Sequence, residues 1–445
     1  MASRRRRSPH ARPQLRQRGH RAPTGLRMNT ATPSILDSEV RASRSVATVR
    51  DRSRPLRVCM VAYTFYENDG RVMRYAEALA QEGAEVDAIV LAREGQPRDV
   101  SINGVRVLRV QTRQKNERSK LAYLTRIGRF FLRSMFELSR RHWTRSYDLI
   151  HVHSVPDFEV FAALLPKLSG ARVILDIHDI VPEFYAAKFG VGHDSLVFKA
   201  LKLVERGSAA FADHVIIAND LWLEKIAARA TAREKCSSFI NYPDLNVFRP
   251  ELRTRAADDG RFVLSYPGTL NWHQGLDIAI RAFALVRHET PGMEFHIHGE
   301  GPARAELERL IAELDLADRV RLHQPVPLRE VAAVMANADL GVVPKRDDKF
   351  GGEAFSTKIL EFMALGVPLV VADTRIDRHY FDATLLRYFR AGDEEDLARV
   401  LLDAYRDRAL GKELAARALE HVQHNSWGVN KSRYFSIVQE LVDGR

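Results

Sequence analysis

Cysteine is scarce in this 445-residue chain: Cys59 and Cys236 are the only two. Two thiols cannot build a disulfide scaffold or a four-thiolate zinc site, so a reducing, cytoplasmic setting is expected. Long apolar runs are missing as well. No stretch approaches the ~20 residues that a bilayer-spanning helix needs, which excludes an integral membrane protein. No Gly-x-Gly-x-x-Gly follows the first apolar run, which argues against a nucleotide-dependent dehydrogenase. Lysine is absent from residues 1–57, where fifteen arginines face three acids, Asp37, Glu39 and Asp51. That segment alone carries +12, so the rest of a chain with formal net charge +11 comes to −1. The basicity belongs to the start of the chain and not to its body.

What is present is ordinary for a globular protein: 45% hydrophobic and 28% charged residues, with length for two or three domains. Residues 1–55 are rich in Arg, Ser and Pro without apolar periodicity. They read as a disordered tail, or as an extended start ahead of Met28. From Leu56 onward, apolar runs of four to six residues alternate with helical patterns. The runs are Arg57–Ala62, Val86–Leu91, Val105–Val110, Asp148–Val152, Val173–Ile177 and His214–Ala218, with a helical pattern from Arg71 to Glu82. A Pro-marked connection, Asn241-Tyr242-Pro243 to Arg249-Pro250, and a polar stretch to Arg261 mark a boundary and a hinge that would allow closure.

A second alternation follows. Strands are expected at Phe262–Tyr266, Glu294–His298, Arg319–His323, Leu340–Val343 and Pro368–Ala372. Helices are expected at Ile278–Val286, Ala303–Leu314, Leu328–Ala336 and Thr357–Leu365. The pattern predicts an α/β protein of two doubly wound, Rossmann-like parallel sheets, over residues 56–245 and 255–426. Ligands of such sheets bind at the carboxyl ends of the strands, so two facing sheets make a cleft. Trp427 with Tyr434-Phe435-Ser436-Ile437-Val438 reads as a last amphipathic helix, within 427–445.

The most specific local pattern is Gly351-Gly352-Glu353-Ala354-Phe355-Ser356-Thr357-Lys358-Ile359-Leu360-Glu361, closing on Gly366-Val367-Pro368. Ser356 or Thr357 can cap a helix whose first free N–H groups suit a diphosphate. Helical side chains lean back toward the N-terminus, so Glu361 can reach over the same end. There it can accept two hydrogen bonds from a vicinal diol, or pair with Lys358 at i, i+3. Glu353, in the loop, would lie beyond the phosphates.

This pattern resembles that of the retaining glycosyltransferases of family four, which have the GT-B fold. Several further segments carry the likeness: Asp69-Gly70-Arg71-Val72, Tyr147 to His153, the hinge Asn241-Tyr242-Pro243, His298-Gly299-Glu300-Gly301-Pro302, and Ala338 to Pro344. The resemblance implies that Glu353 contacts donor-sugar hydroxyls, that Glu361 holds the nucleotide ribose, and that His178 faces the reacting sugar. It implies that helix 427–445 crosses back onto the N-terminal half. One departure stands out: where many members carry an Arg and a Lys against the diphosphate, this chain has Thr269 and Gln274, in the loop after Gly268. Lys358 is the expected substitute, with Lys345 or Arg346 behind it. Phe355, Ser356 and Thr357 complete the expected donor side, and Asp69, Gly70 and Arg71 form an acceptor-side loop.

The resulting expectation is a retaining, metal-independent hexosyltransferase that uses a nucleotide-diphosphate sugar and needs no cofactor. Its acceptor would be a hydroxyl of a glycan or lipid-linked molecule, in surface polysaccharide or glycolipid synthesis. Another GT-B enzyme, such as a nucleotide-sugar epimerase, is the alternative, as is a nucleic-acid or membrane adaptor acting through the basic tail. Residues 113–145 mix ten basic side chains with Leu121, Leu124, Ile127, Phe130, Phe131, Phe136 and Trp143. Such a helix can lie on an anionic surface, here the inner face of a plasma membrane, or simply pack its apolar stripe on the sheet. No specific nucleic acid is expected. His151 with His153, and His296 with His298, read as packing or polar lining, because spacing supplies no third metal ligand.

Overall fold

Short runs of consecutive apolar residues can be buried only if both faces of their sheet are covered, and that is how these runs are used. A computed structural model describes residues 54–444, apart from 114–119, 193, 257–258 and 349. The expected tail therefore lies almost wholly outside the described residues.

The N-terminal half runs β1 (Arg57–Phe65), α1 (Gly70–Gln81), β2 (Glu85–Ala92), β3 (Asp99–Ile102), β4 (Val105–Thr112), α2 (Lys120–Thr144) and β5 (Leu149–His153). It continues α3 (Leu164–Leu168), β6 (Arg172–Ile177), α4 (Val181–Phe189), α5 (Leu196–Phe211), β7 (His214–Ile217), α6 (Asp220–Arg229) and β8 (Cys236–Ser238). The strands form one sheet in the order β3-β4-β2-β1-β5-β6-β7-β8, parallel except for the β3–β4 edge hairpin. The C-terminal half runs β9 (Phe262–Pro267), α7 (Leu276–Val286), β10 (Met293–His298), α8 (Arg304–Glu313), β11 (Val320–His323), α9 (Leu328–Ala336) and β12 (Leu340–Val343). Then come α10 (Thr357–Ala364), β13 (Leu369–Asp373), α11 (Arg375–Tyr380), β14 (Arg387–Arg390), α12 (Glu394–Arg406), α13 (Arg408–His424) and α14 (Trp427–Asp443). Its parallel sheet has the doubly wound order β11-β10-β9-β12-β13-β14.

The strand order reverses beside β1 in the first sheet and beside β9 in the second, and the crevice for a ligand opens at such switch points. Close packing at the second one is built on small residues. A Cβ on Gly341 would stand 2.7 Å from the ring of Phe362, so the contact between β12 and α10 requires glycine there.

The described residues, 54–444, belong to a single compact unit. One continuous apolar cluster runs from Tyr75 of α1 and Tyr434 of α14 to Met335 of α9 and Leu360 of α10. Helix α14 seals the first sheet, where Tyr75 and Tyr434 pack with ring centroids 4.4 Å apart. The His151 ring nitrogen meets the Tyr434 hydroxyl at 2.9 Å, and Arg433 donates to the Ser238 carbonyl.

One buried acid gives the fold a pH dependence. Glu159 is 0% exposed, and neither of its carboxylate oxygens has a hydrogen-bond partner among the described residues. Burial pushes its carboxyl up to about 8, and that of Asp157 up to about 7. The folded state therefore binds more protons than the unfolded one between the ordinary carboxylate range and those values. Stability falls as pH rises through that window. Glu159→Gln is expected to raise the urea midpoint over wild type at pH 8.5 and to change it little at pH 5. Coincident midpoints at pH 8.5 would refute this.

Candidate functional site

Helix α10 starts at the carboxyl end of the second sheet, and its first turn gathers several of the expected residues. Lys358 extends from this turn across Gly268, with its ammonium 5.0 Å from the centre of the Tyr266 ring. Gly268 has φ +153°, and a Cβ there would lie 2.5 Å from Lys358 Cε, so glycine makes room for the lysine stem. The Tyr266 hydroxyl hydrogen-bonds the Gln274 side chain at 2.9 Å and the Thr269 carbonyl at 3.1 Å, which fixes the loop between them. Thr269 is exposed and Gln274 half-buried. Burial pushes the Lys358 ammonium down to about 8. Ser356 precedes the helix with a buried hydroxyl that has no hydrogen-bond partner among the described residues, and Thr357, its first residue, is half-buried.

Glu361 sits one turn on, half-buried. Burial raises its carboxyl, against the opposing charges of Lys358 and of Arg74 from α1 in the other half. Arg74 in turn donates to the Tyr242 carbonyl, and burial brings its guanidinium down to about 10. Glu361 is thus part of a charge cluster spanning both halves. Arg74 was not foreseen, because nothing in the local pattern of α1 marks it.

Glu353 also engages both halves. Its carboxylate pairs with Lys225 of α6, and Arg375 of α11 donates to it at 3.3 Å. Its backbone carbonyl accepts from the Asn219 side chain at 3.1 Å. Phe350 anchors this loop against the N-terminal half, stacked on Trp222 at 5.7 Å and edge-on to Phe184 at 5.2 Å. Tyr380 adds a link, its hydroxyl donating to Asp220 at 2.8 Å. Phe355 is turned to packing, edge-on to Tyr380 at 5.1 Å and 6.0 Å from Phe381, so its ring is not free for a ligand.

Two expected phosphate contacts are corrected. Lys345 is 4% exposed, with its ammonium 2.9 Å from Asp377 and donating to the Ala354 carbonyl at 2.8 Å. It is a strut beneath the loop, its charge already matched. Arg346 pairs with Asp277 at 2.6 Å and lies 4.3 Å over the Trp272 ring. That leaves Lys358 as the cation at the start of α10 without an ion pair among the described residues.

The acceptor-side expectation is also corrected in part. Asp69 caps α1, its carboxylate accepting from the backbone N–H groups of Arg71 and Val72, and Gly70 begins the helix. Arg71 does not line a loop: it is 6% exposed and forks onto Asp176 through hydrogen bonds of 2.8 and 2.7 Å, donating also to the Phe239 carbonyl. Asp176, itself 0% exposed, lies 3.1 Å from His178 and 3.2 Å from His153. The Arg71 charge holds the Asp176 carboxyl well below the ordinary range despite burial. His178, at the end of β6, keeps 22% of its side chain exposed, so Asp176 orients an imidazole that can still meet a ligand.

Among the described residues, two groups of side chains have the composition of a metal site: His151, His153 and Asp176, and His296, His298 and His323. In the first, Asp176 is already neutralised by Arg71 and both histidines are fully buried, so a cation would meet a guanidinium. Beside α10 the arrangement offers free helix N–H groups, one ammonium and one carboxylate, enough to bind a diphosphate and a diol.

Both halves of the chain resemble known proteins. Residues 248–421 match the family described as glycosyl transferases group 1, and residues 70–237 match the glycosyl transferase 4-like domain. A D-inositol 3-phosphate glycosyltransferase of Thermomonospora curvata is 25% identical over 82% of this chain and 88% of its own length. An exopolysaccharide phosphotransferase of Streptomyces coelicolor is 30% identical over 50% of this chain, which spans only 22% of that relative's length. In structure, the chain resembles a sucrose-phosphate synthase from Thermosynechococcus elongatus, with TM-score 0.73 and 18% identity over 88% of this chain and all of that one. It also resembles Anabaena HepE, solved with UDP and glucose, with TM-score 0.64 and 16% identity over 85% of this chain and 99% of that one.

Proposed function

Starting from a glycosyltransferase of the GT-B fold, we propose that this protein is a retaining hexosyltransferase moving a sugar from a nucleotide diphosphate to a hydroxyl. The observation that carries the reading is the placement of Lys358 and Glu361 on the first turns of one helix, α10, with the charge of Arg74 from the other half acting on Glu361. The diphosphate lies on the helix start, where Lys358 offsets the charge that builds as the leaving group departs. Glu361 accepts from the ribose hydroxyls. Glu353 exchanges its contact with Lys225 for the donor-sugar hydroxyls, and Asp176 positions His178 on the opposite side of the reacting carbon. The transition state is oxocarbenium-like, so rate comes from alignment and charge stabilisation, with no metal or cofactor in the step.

Calorimetry tests the donor site. Glu361→Ala is expected to weaken binding of UDP-, GDP- or ADP-sugars about 10- to 100-fold, the worth of charge-assisted hydrogen bonds to a diol. Undiminished affinity for the best-bound donor would remove Glu361 from the site.

The acceptor we infer is a glycan or lipid-linked hydroxyl, at the inner face of a plasma membrane, in surface polysaccharide or glycolipid synthesis. No described helix is long and apolar enough to cross a membrane. Helix α2 instead exposes Trp143, at 91%, and carries Leu132 and Phe136 on an open groove of ≈ 600 Å³ also bordered by Arg98, Arg129 and Arg133. Apolar bulk next to arginine suits a peripheral contact with anionic headgroups. Phe136→Glu together with Trp143→Glu is expected to abolish co-flotation with phosphatidylglycerol vesicles, and flotation equal to wild type would rule this contact out.

A further inference from the structure

Sequence spacing pairs His296 with His298 and stops there. The fold adds a third member. Strand β11 lies parallel to β10 with His323 opposite His298, so three imidazoles share one face of the sheet. The alternation along β10 makes this face: Met293, Phe295 and Ile297 are buried on the other side, while Glu294, His296 and His298 stay half-buried. Nδ1 of His296 lies 2.9 Å from Nε2 of His323, and the His298 ring stacks on His323 at 4.2 Å. One nitrogen from each of the three lies within 4.8 Å of the others, where a tetrahedral ion wants its ligands roughly 3.4 Å apart. His298 Nδ1 is buried and has no hydrogen-bond partner among the described residues. Glu294 sits 2.8 Å from Nε2 of His296. A carboxylate there accepts the Nε2–H hydrogen bond, which fixes the tautomer and leaves Nδ1 as a lone pair toward the cluster, the usual support of a metal-bound histidine.

The geometry points to a binding site for a divalent transition ion of the zinc class, held by His296, His298 and His323, with Glu294 behind the first ligand and solvent at a fourth position. Imidazole ligands and a three-residue set suit such an ion and do not suit magnesium or calcium. Nearby cations are largely matched: Arg261 pairs with Glu294 at 2.7 Å and Arg304 with Glu308 at 2.9 Å. Arg321, on β11 next to the cluster, and Arg304 are the charges that oppose the ion. The site ties the ends of β10 and β11, and β10 holds the start of the donor loop that follows β9, since the Gly268 N–H bonds the His298 carbonyl at 2.9 Å and the Gly299 N–H bonds that of His323. Its role is to brace that loop, away from the bonds that react.

Protein freed of metal by chelation and dialysed against Co²⁺ or Zn²⁺ tests the assignment. One equivalent per chain is expected, with the intense visible bands of tetrahedral cobalt and a rise in unfolding temperature. His323→Gln is expected to lose at least ~10-fold in affinity together with those bands. Glu294→Gln should weaken binding ~10- to 100-fold while keeping them. His298→Asn serves as the second ligand test should His323→Gln not fold. Exposed His288 is the control, and His288→Gln should bind as wild type. Sub-stoichiometric uptake, the pale spectrum of an octahedral ion, or ligand variants that bind as wild type would overturn the site.

Discussion

Exchanging Lys358 for methionine is expected to lower kcat by about 10²- to 10³-fold, the usual cost of removing a group that stabilises developing negative charge. Methionine keeps an unbranched stem over the Tyr266 ring, 5.0 Å from the present ammonium, so packing against Gly268 survives. The donor KM should change far less than kcat, because the charge grows mainly as the bond to the phosphate breaks. A pH profile adds a second reading. Burial brings the Lys358 ammonium to about 8, so in the free enzyme its positive charge is present below that pH and lost above it. Wild-type kcat/KM should therefore fall above pH 8, and Lys358→Met should lack that alkaline limb. Wild-type turnover in Lys358→Met would discard the leaving-group role.

The largest stability effect is expected at Asp176. Asp176→Ala leaves Arg71 charged, 6% exposed and without its bidentate partner, a situation that costs about 3–5 kcal/mol. Asp176 titrates well below an ordinary carboxylate in the fold, so its contribution is complete above the unfolded-state value and lost as pH falls through the folded one. The double change Arg71→Met with Asp176→Leu should recover most of the loss, since apolar residues of similar size can replace a buried pair. Denaturant titrations of the two variants decide it. A loss under 1 kcal/mol for Asp176→Ala would mean that water reaches the pair. Asp176→Asn probes function separately: it removes the charge that orients His178 and should depress turnover more than donor affinity.

Both central strands and half of the described helices were legible, the strands because burial on two faces forces uninterrupted apolar runs, as in Arg57–Phe65 and Phe262–Pro267. Three strands were not. Asp99–Ile102, Cys236–Ser238 and Arg387–Arg390 are short and partly exposed, and all three are edges, so neither hydrophobicity nor length marks them. At the site, the first turn of α10 was readable from its cap, its glycines and its two glutamates. The cation ranking was not: Lys345 and Lys358 look alike in sequence, and only Asp377, 32 residues further on, tells them apart. Arg74, Lys225 and His323 escaped notice for one reason. Each matters through a partner brought close by the topology, and a lone basic residue on a helix or strand announces none.

The seal formed by α14 also bears on how the protein is made. Tyr434 closes the packing over His151 and Tyr75, in a sheet whose last strand ends at Ser238. On a ribosome adding 5–20 residues per second, the interval between Ser238 and Trp427 is on the order of ten to forty seconds. Throughout it the nascent first half carries this aromatic socket uncovered, its last stabilising layer still to be made.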